Sequence, residues 1–201
     1  MRIAVLTAGL STPSSSRILA DELASAVVRS LAERGETAQV DVVELREHGH
    51  ALVDAMLTGF APPALQDAID AASRADGLIA VTPIFTASYS PLFKAFFDVL
   101  DKDALAGKPV LIGATGGTER HSLALEHAVR PLLSFLRAYV TPTAVYAASA
   151  DFGPHADELR ARIERAAREL AGLMTAVGPE AMPAEFDDFV PFGQLLAASA
   201  R

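Results

Sequence analysis

Five hydroxyl-bearing residues, Ser11, Thr12, Ser14, Ser15 and Ser16, fall within six positions and run directly into Arg17. They lie between an apolar run, Met1–Ala8 (MRIAVLTA), and a stretch with helical spacing. Such a loop gathers hydroxyl donors, unpaired backbone N–H groups and the positive end of a helix dipole in one small volume. That chemistry suits a dianionic phosphate, and Arg17 adds a fixed cation with a fork of donors. The alternative is a Ser/Thr N-cap without a ligand. One hydroxyl is enough for a cap, so the density of the cluster favours the anion site.

Two further loops carry groups able to meet a ligand. Pro83–Ser90 (PIFTASYS) combines a rigid exit at Pro83, the bulky pair Ile84 and Phe85, and small hydroxyl residues beginning at Thr86. Its backbone groups can hydrogen-bond the edge of a heterocycle while Phe85 offers an apolar surface, unless Phe85 and Tyr89 are simply core or interface aromatics. Thr115–His121 (TGGTERH) places Gly116 and Gly117 where backbone can approach a flat ligand without a Cβ, flanked by the hydroxyls of Thr115 and Thr118. A plain glycine turn is the competing reading.

These loops need a frame, and the alternation of patterns supplies it. Apolar strands are expected at Ile3–Thr7, Val40–Leu45, Gly77–Thr82, Val110–Ala114 and Val140–Tyr146. Helical spacing marks residues 16–34, ending before Gly35, and the stretches 64–73, 91–100, 123–136 and 156–174. Residues 46–61 read as a connection. Continuous apolar runs such as GLIAVT imply strands buried on both faces, hence a parallel sheet. Repeated strand–helix units predict an α/β fold, a flavodoxin-like doubly wound five-stranded parallel sheet of order 2-1-3-4-5. All three loops then follow strand carboxyl ends, where ligands bind in such sheets. Pro131 lacks an N–H, so local irregularity is expected in the helix around it.

Composition narrows the class. A chain of 201 residues fits one domain, divided here as 1–176 with an acidic, aromatic tail at 177–201. No apolar run approaches a membrane span, and no h-region with a cleavage site opens the chain, so a cytoplasmic protein is expected. Zero cysteines exclude disulfides, a thiolate nucleophile and Cys-ligated metal. No metal site is expected. The net charge of −8 argues against nucleic acid as a partner. No G-x-G-x-x-G follows the first strand, and neither a Walker A loop nor a G-x-S-x-G elbow is present.

A phosphate cradle with two walls for a planar, hydrogen-bonding ring matches the shape of FMN. The segments TPIFTASYSPLFKAFFD (82–98) and GKPVLIGATGGTERHSLALEHAVRPLLSFL (107–136), together with GLSTPSSSR (9–17), resemble the NAD(P)H-dependent FMN reductases of the flavodoxin-like superfamily. The likeness runs to about Asp151 and points to the branch that partners alkanesulfonate-type monooxygenases. The resemblance implies that Ser11, Ser14, Ser15, Ser16 and Arg17 hold the FMN phosphate. It also implies that Pro83, Ile84, Phe85 and Thr86 line the ring, that Thr115, Gly116, Gly117 and Thr118 contact its polar edge, and that His121 lies close by. In that branch a tyrosine often stands where this chain has His127, on a helix at the subunit interface.

The expected chemistry is hydride transfer from NADPH or NADH to FMN, with reduced flavin passed to a flavin-dependent monooxygenase. No catalytic acid or base is expected, because the cofactors carry the electronic work. His121 and His127 are the titratable groups near enough to modulate it. The alternatives are a flavin-retaining quinone or azo reductase and a flavodoxin-type electron carrier. Helix 91–100, with Phe93, Phe96 and Phe97, and the helix bearing His127 look too apolar for solvent, which predicts a homodimer or homotetramer built on them.

Overall fold

The computed structural model describes residues 1–153 and 155–177. A parallel sheet runs through its centre, built from β1 (Arg2–Thr7), β2 (Gln39–Glu44), β3 (Gly77–Phe85) and β5 (Pro109–Gly116). The short strand β4 (Ser88–Tyr89) turns back antiparallel onto β3, pairing Ile84 with Tyr89 and Phe85 with Ser88. Beyond β5 the outer strand is split into β6 (Tyr139–Val140) and β7 (Val145–Ala148), each pairing β5 in parallel. The order is β2-β1-β3-β5-β6. This is the expected 2-1-3-4-5 arrangement, with two strands more than the five anticipated.

The split has a local cause. Pro142 has no N–H for a ladder, and Thr141–Ala144 leaves the sheet around it. Side chains hold this excursion from both layers. Arg130 Nη1 donates to the Thr141 carbonyl (2.8 Å) and Nη2 to the Pro142 carbonyl (3.1 Å). Glu169 accepts from the Thr143 N–H (2.7 Å) and from its hydroxyl (2.6 Å).

Alternate strand residues feed two cores, as pleating requires. Ile3, Val5, Ile79, Val81 and Leu111 face α1 (Ser15–Ala32) and α6 (Ala156–Val177). Ala4, Leu6, Leu78, Ala80 and Ile112 face α2 (Gly49–Thr58), α3 (Pro63–Arg74), α4 (Pro91–Asp98) and α5 (Arg130–Phe135). Helix α2 replaces part of the expected connection after β2. Its exposed Val53, Met56 and Leu57 hide the periodicity that a single buried stripe would show.

Two expectations change here. Phe93, Phe96 and Phe97 of α4 do not await a partner subunit. They are buried within the chain, with Phe93 and Phe97 rings 4.8 Å apart and edge-on at 63°. Each buried phenylalanine stabilises the fold by about 1.5–3 kcal/mol. The stretch 123–136 is not one α-helix: Leu125–Val129 is a π-turn leading into α5, with Pro131 in the first turn of α5. Among the described residues no helix is long and apolar enough to cross a membrane. The tail from residue 178 lies outside the described residues.

Candidate functional site

All three loops emerge at the carboxyl edge of the sheet, and one hydrogen bond joins two of them. Ser16, in the first turn of α1, meets the Thr115 hydroxyl at 2.7 Å, with both residues buried. Thr115 in turn lies opposite Pro83 in the β3–β5 register. Pro83 sits beyond the β1 ladder, which ends at the Thr7–Val81 pair, so its missing N–H is not needed there. Ser14 is the N-cap of α1, its hydroxyl accepting from the Arg17 N–H at 3.3 Å. Gly9 makes this cap possible: a Cβ there would lie 1.9 Å from Ser14 Oγ. Ser11 and Ser15 are exposed at the mouth of the loop.

Arg17 is less free than the sequence implies. Its Nε donates to both Asp21 oxygens (2.8 and 3.0 Å) and its Nη1 to Glu44 Oε1 (2.5 Å). The Asp21 hydrogen bond pushes the guanidinium pKa upward; burial opposes it, and the charge of Asp21 and then the Glu44 contact leave the net shift upward. The other Glu44 oxygen accepts from Arg46 Nε at 2.8 Å. Arg46 Nη1 reaches the Thr12 hydroxyl and the Ser11 carbonyl (3.5 Å). Neither Glu44 nor Arg46 was expected at the site. Glu44 ends β2, beside β1 in the sheet, and Arg46 lies in the turn after it; only the strand order reveals that they flank the first loop.

The second loop is a tight hairpin rather than an open loop. Pro83, Ile84 and Phe85 complete β3, and Thr86 (φ 47°) and Ala87 (φ 68°) turn the chain. Two consecutive positive φ values match the right-handed strand twist, and they favour Asn-Gly. A β-branched threonine there is strained. Phe85 is 40% exposed and Ile84 half-buried, so the hairpin presents an apolar edge beside Thr115. Behind it, the buried Thr82 hydroxyl accepts from the Ser90 N–H at 2.9 Å.

The third loop is pinned from below. Tyr146, on β7, donates its hydroxyl to the Thr118 carbonyl at 2.7 Å. Burial, then the charges of Asp151 and Glu119, push the Tyr146 pKa up, keeping it a donor. Gly116 is glycine for this reason, since a Cβ would lie 2.1 Å from the Tyr146 oxygen. At Gly117 a Cβ would meet nothing within 4 Å, which leaves open space against the backbone. His121 ends a short 3-10 turn, Glu119–His121, and His127 lies in the π-turn; both are exposed.

Two buried hydroxyls at this edge, Thr7 Oγ1 and Ser90 Oγ, have no partner. Thr7 ends β1 and Ser90 is the N-cap of α4. Buried orphans of this kind cost about 1–3 kcal/mol each. Both oxygens are sealed from solvent, so the group that a flavin nucleotide could reach is the open backbone at Gly117, which fits a flat hydrogen-bonding ligand.

Sheet order, helices on both faces and a hydroxyl-rich loop opening α1 define a protein of the flavodoxin-like class. Residues 1–153 match the family model described as NADPH-dependent FMN reductase. The chain is 37% identical over 177 residues to an FMN reductase (NADPH) of Pseudomonas aeruginosa, covering 86% of this chain and 91% of that protein. It is 37% identical over 179 residues to the NADH-dependent FMN reductase SfnE of Pseudomonas putida, covering 88% and 94%. Among solved structures, an oxidoreductase from Corynebacterium diphtheriae shares 50% identity and superposes with a TM-score of 0.84, covering 87% of this chain and 97% of that one. The chain therefore belongs to the NADPH-dependent FMN reductase family, whose members are oxidoreductases acting on FMN with NAD(P)H.

Proposed function

We propose that this chain reduces FMN lodged across its three loops with hydride from NADPH or NADH. Reduced flavin then leaves for a separate two-component flavin-dependent monooxygenase. The observation that carries the reading is the buried Ser16–Thr115 bond, which fixes the first and third loops in one site beside the α1 N-cap. Ser11, Ser14, Ser15, Ser16 and Arg17 take the phosphate. Pro83, Ile84, Phe85 and Thr86 flank the ring, and Thr115, Gly116, Gly117 and Thr118, with His121, meet its polar edge. When bound, the flavin supplies the redox chemistry. The chain's own contribution is orientation: a rigid hairpin, a pinned third loop and a helix end that fixes the charged terminus. No side chain is assigned as general acid or base.

Release is supported by exposure. Phe85, Thr86, Gly117, Thr118 and His121 all face solvent, so little has to move for flavin to depart. The resemblance to reductases that partner alkanesulfonate-type monooxygenases supports the same recipient. A cytoplasmic homo-oligomer completes the proposal. Its contact surface loses α4 but keeps the stretch bearing His127, which exposes Leu123 (63%) and Phe135 (82%), and gains Leu57 and Phe60 (80% each).

Steady-state assays test this directly. NAD(P)H oxidation is expected to saturate with added free FMN, and light scattering at micromolar concentration to give more than one subunit mass. Turnover that requires a quinone would favour the flavin-retaining reductase, and none with either nicotinamide would favour the electron carrier.

A further inference from the structure

The four charged side chains around the first loop cancel one another. Glu44 is 18% exposed and places one oxygen on Arg17 and the other on Arg46, while Asp21 takes the remaining face of Arg17. Two guanidinium groups therefore approach the loop with two carboxylates already bound to them. A site meant to hold a phosphate permanently gains from uncancelled positive charge. Here the loop's attraction is left to hydroxyls, backbone N–H groups and the α1 dipole.

We infer that Glu44 sets the affinity and release of the flavin phosphate, by neutralising Arg17 and Arg46 and adding an anion beside the loop. This rests on the phosphate reading of the Ser11–Arg17 loop and deepens it. Glu44 does not touch the reacting ring. It acts through two arginines, one at the helix start (Arg17) and one strapped to the Thr12 hydroxyl and Ser11 carbonyl (Arg46). It is a positioning residue with an electrostatic signature. Keeping both arginines in place while limiting their pull gives a loop that is ordered yet lets its ligand go.

The test compares FMN with riboflavin, which lacks the phosphate, on the full chain. Dissociation constants are measured by fluorescence quenching for the wild type, Glu44→Gln and Asp21→Asn. Glu44→Gln is expected to tighten FMN binding about ten-fold, the scale of one unit charge removed near a partly exposed anion. Riboflavin affinity should stay unchanged. Its FMN affinity should also fall more steeply with salt than that of the wild type, because uncancelled charge is screened. Asp21→Asn, on the exposed face of α1, should shift FMN in the same direction by a smaller factor and keeps the test alive if Glu44→Gln does not fold. If both folded variants bind FMN no more tightly than the wild type, while the wild type still prefers FMN to riboflavin, the role of Glu44 is overturned and the loop assignment stands. If the wild type binds riboflavin as tightly as FMN, the loop assignment fails and takes this inference with it.

Discussion

Removing the Ser16 hydroxyl should show how firmly the two nucleotide loops are joined. Ser16 and Thr115 are 2% and 5% exposed, and their oxygens lie 2.7 Å apart. Ser16→Ala leaves Thr115 Oγ1 buried without that partner, a penalty of about 2 kcal/mol. For a chain of this size the Tm falls by about 4–8 °C. Thr115→Val orphans Ser16 and should cost a similar amount. The double variant Ser16→Ala/Thr115→Val removes both polar atoms together and should cost well under the sum, about 1 kcal/mol in all. The coupling energy is then about 3 kcal/mol, read from urea unfolding curves with unchanged m-values. Simple additivity of the two single changes would mean the hydroxyls do not depend on each other, and the joined-loop argument would be wrong.

Other predictions follow from the same geometry. Ala87→Gly relieves a left-handed backbone (φ 68°) and should raise stability by about 0.5–1 kcal/mol, net of the glycine's greater unfolded entropy; a lower urea midpoint would contradict the strained hairpin. Gly116→Ala drives a methyl against the Tyr146 oxygen and should cost about 2 kcal/mol, against about 1 for Tyr146→Phe, which only deletes the hydrogen bond to Thr118. Arg130→Ala leaves the Thr141 and Pro142 carbonyls unmatched and should cost about 2 kcal/mol, whereas Glu126→Gln on the exposed side of the same pair should cost about 0.5 or less. Because the Arg130 hydrogen bond lowers the Glu126 pKa, that small contribution is complete above the ordinary carboxylate value. It disappears as pH falls through the lowered one, so wild type and Glu126→Gln should converge in acid.

The strand–helix alternation was legible because buried parallel strands carry continuous apolar runs, and Gly77–Thr82 shows this plainly. Ser14 and Ser16 were legible too, since a hydroxyl cluster ahead of a helical pattern has a local meaning. What escaped depends on partners distant in the chain. Glu44 and Arg46 read as ordinary charges at and just after the end of a strand, until the β2-β1 pairing sets them beside the first loop. Tyr146 gives no local sign that its hydroxyl will reach Thr118. Helix α2 was missed because exposed Val53, Met56 and Leu57 blur its polar face. The β3–β4 hairpin escaped because Thr86-Ala87 lacks the Asn-Gly signal that usually marks such a turn. For α4, apolar residues correctly implied burial, but not whether the chain or a second copy would cover them.

The interruption at Pro142 bears on how this protein behaves in a crowded cell. An outermost strand offers a row of unsatisfied peptide groups to any extended polypeptide that comes alongside. Here that row is only two residues long, then deflected and bolted down by Arg130 and Glu169, before four more residues resume. An incoming strand finds no length on which to propagate, so the interruption itself guards this margin of the molecule against templated aggregation.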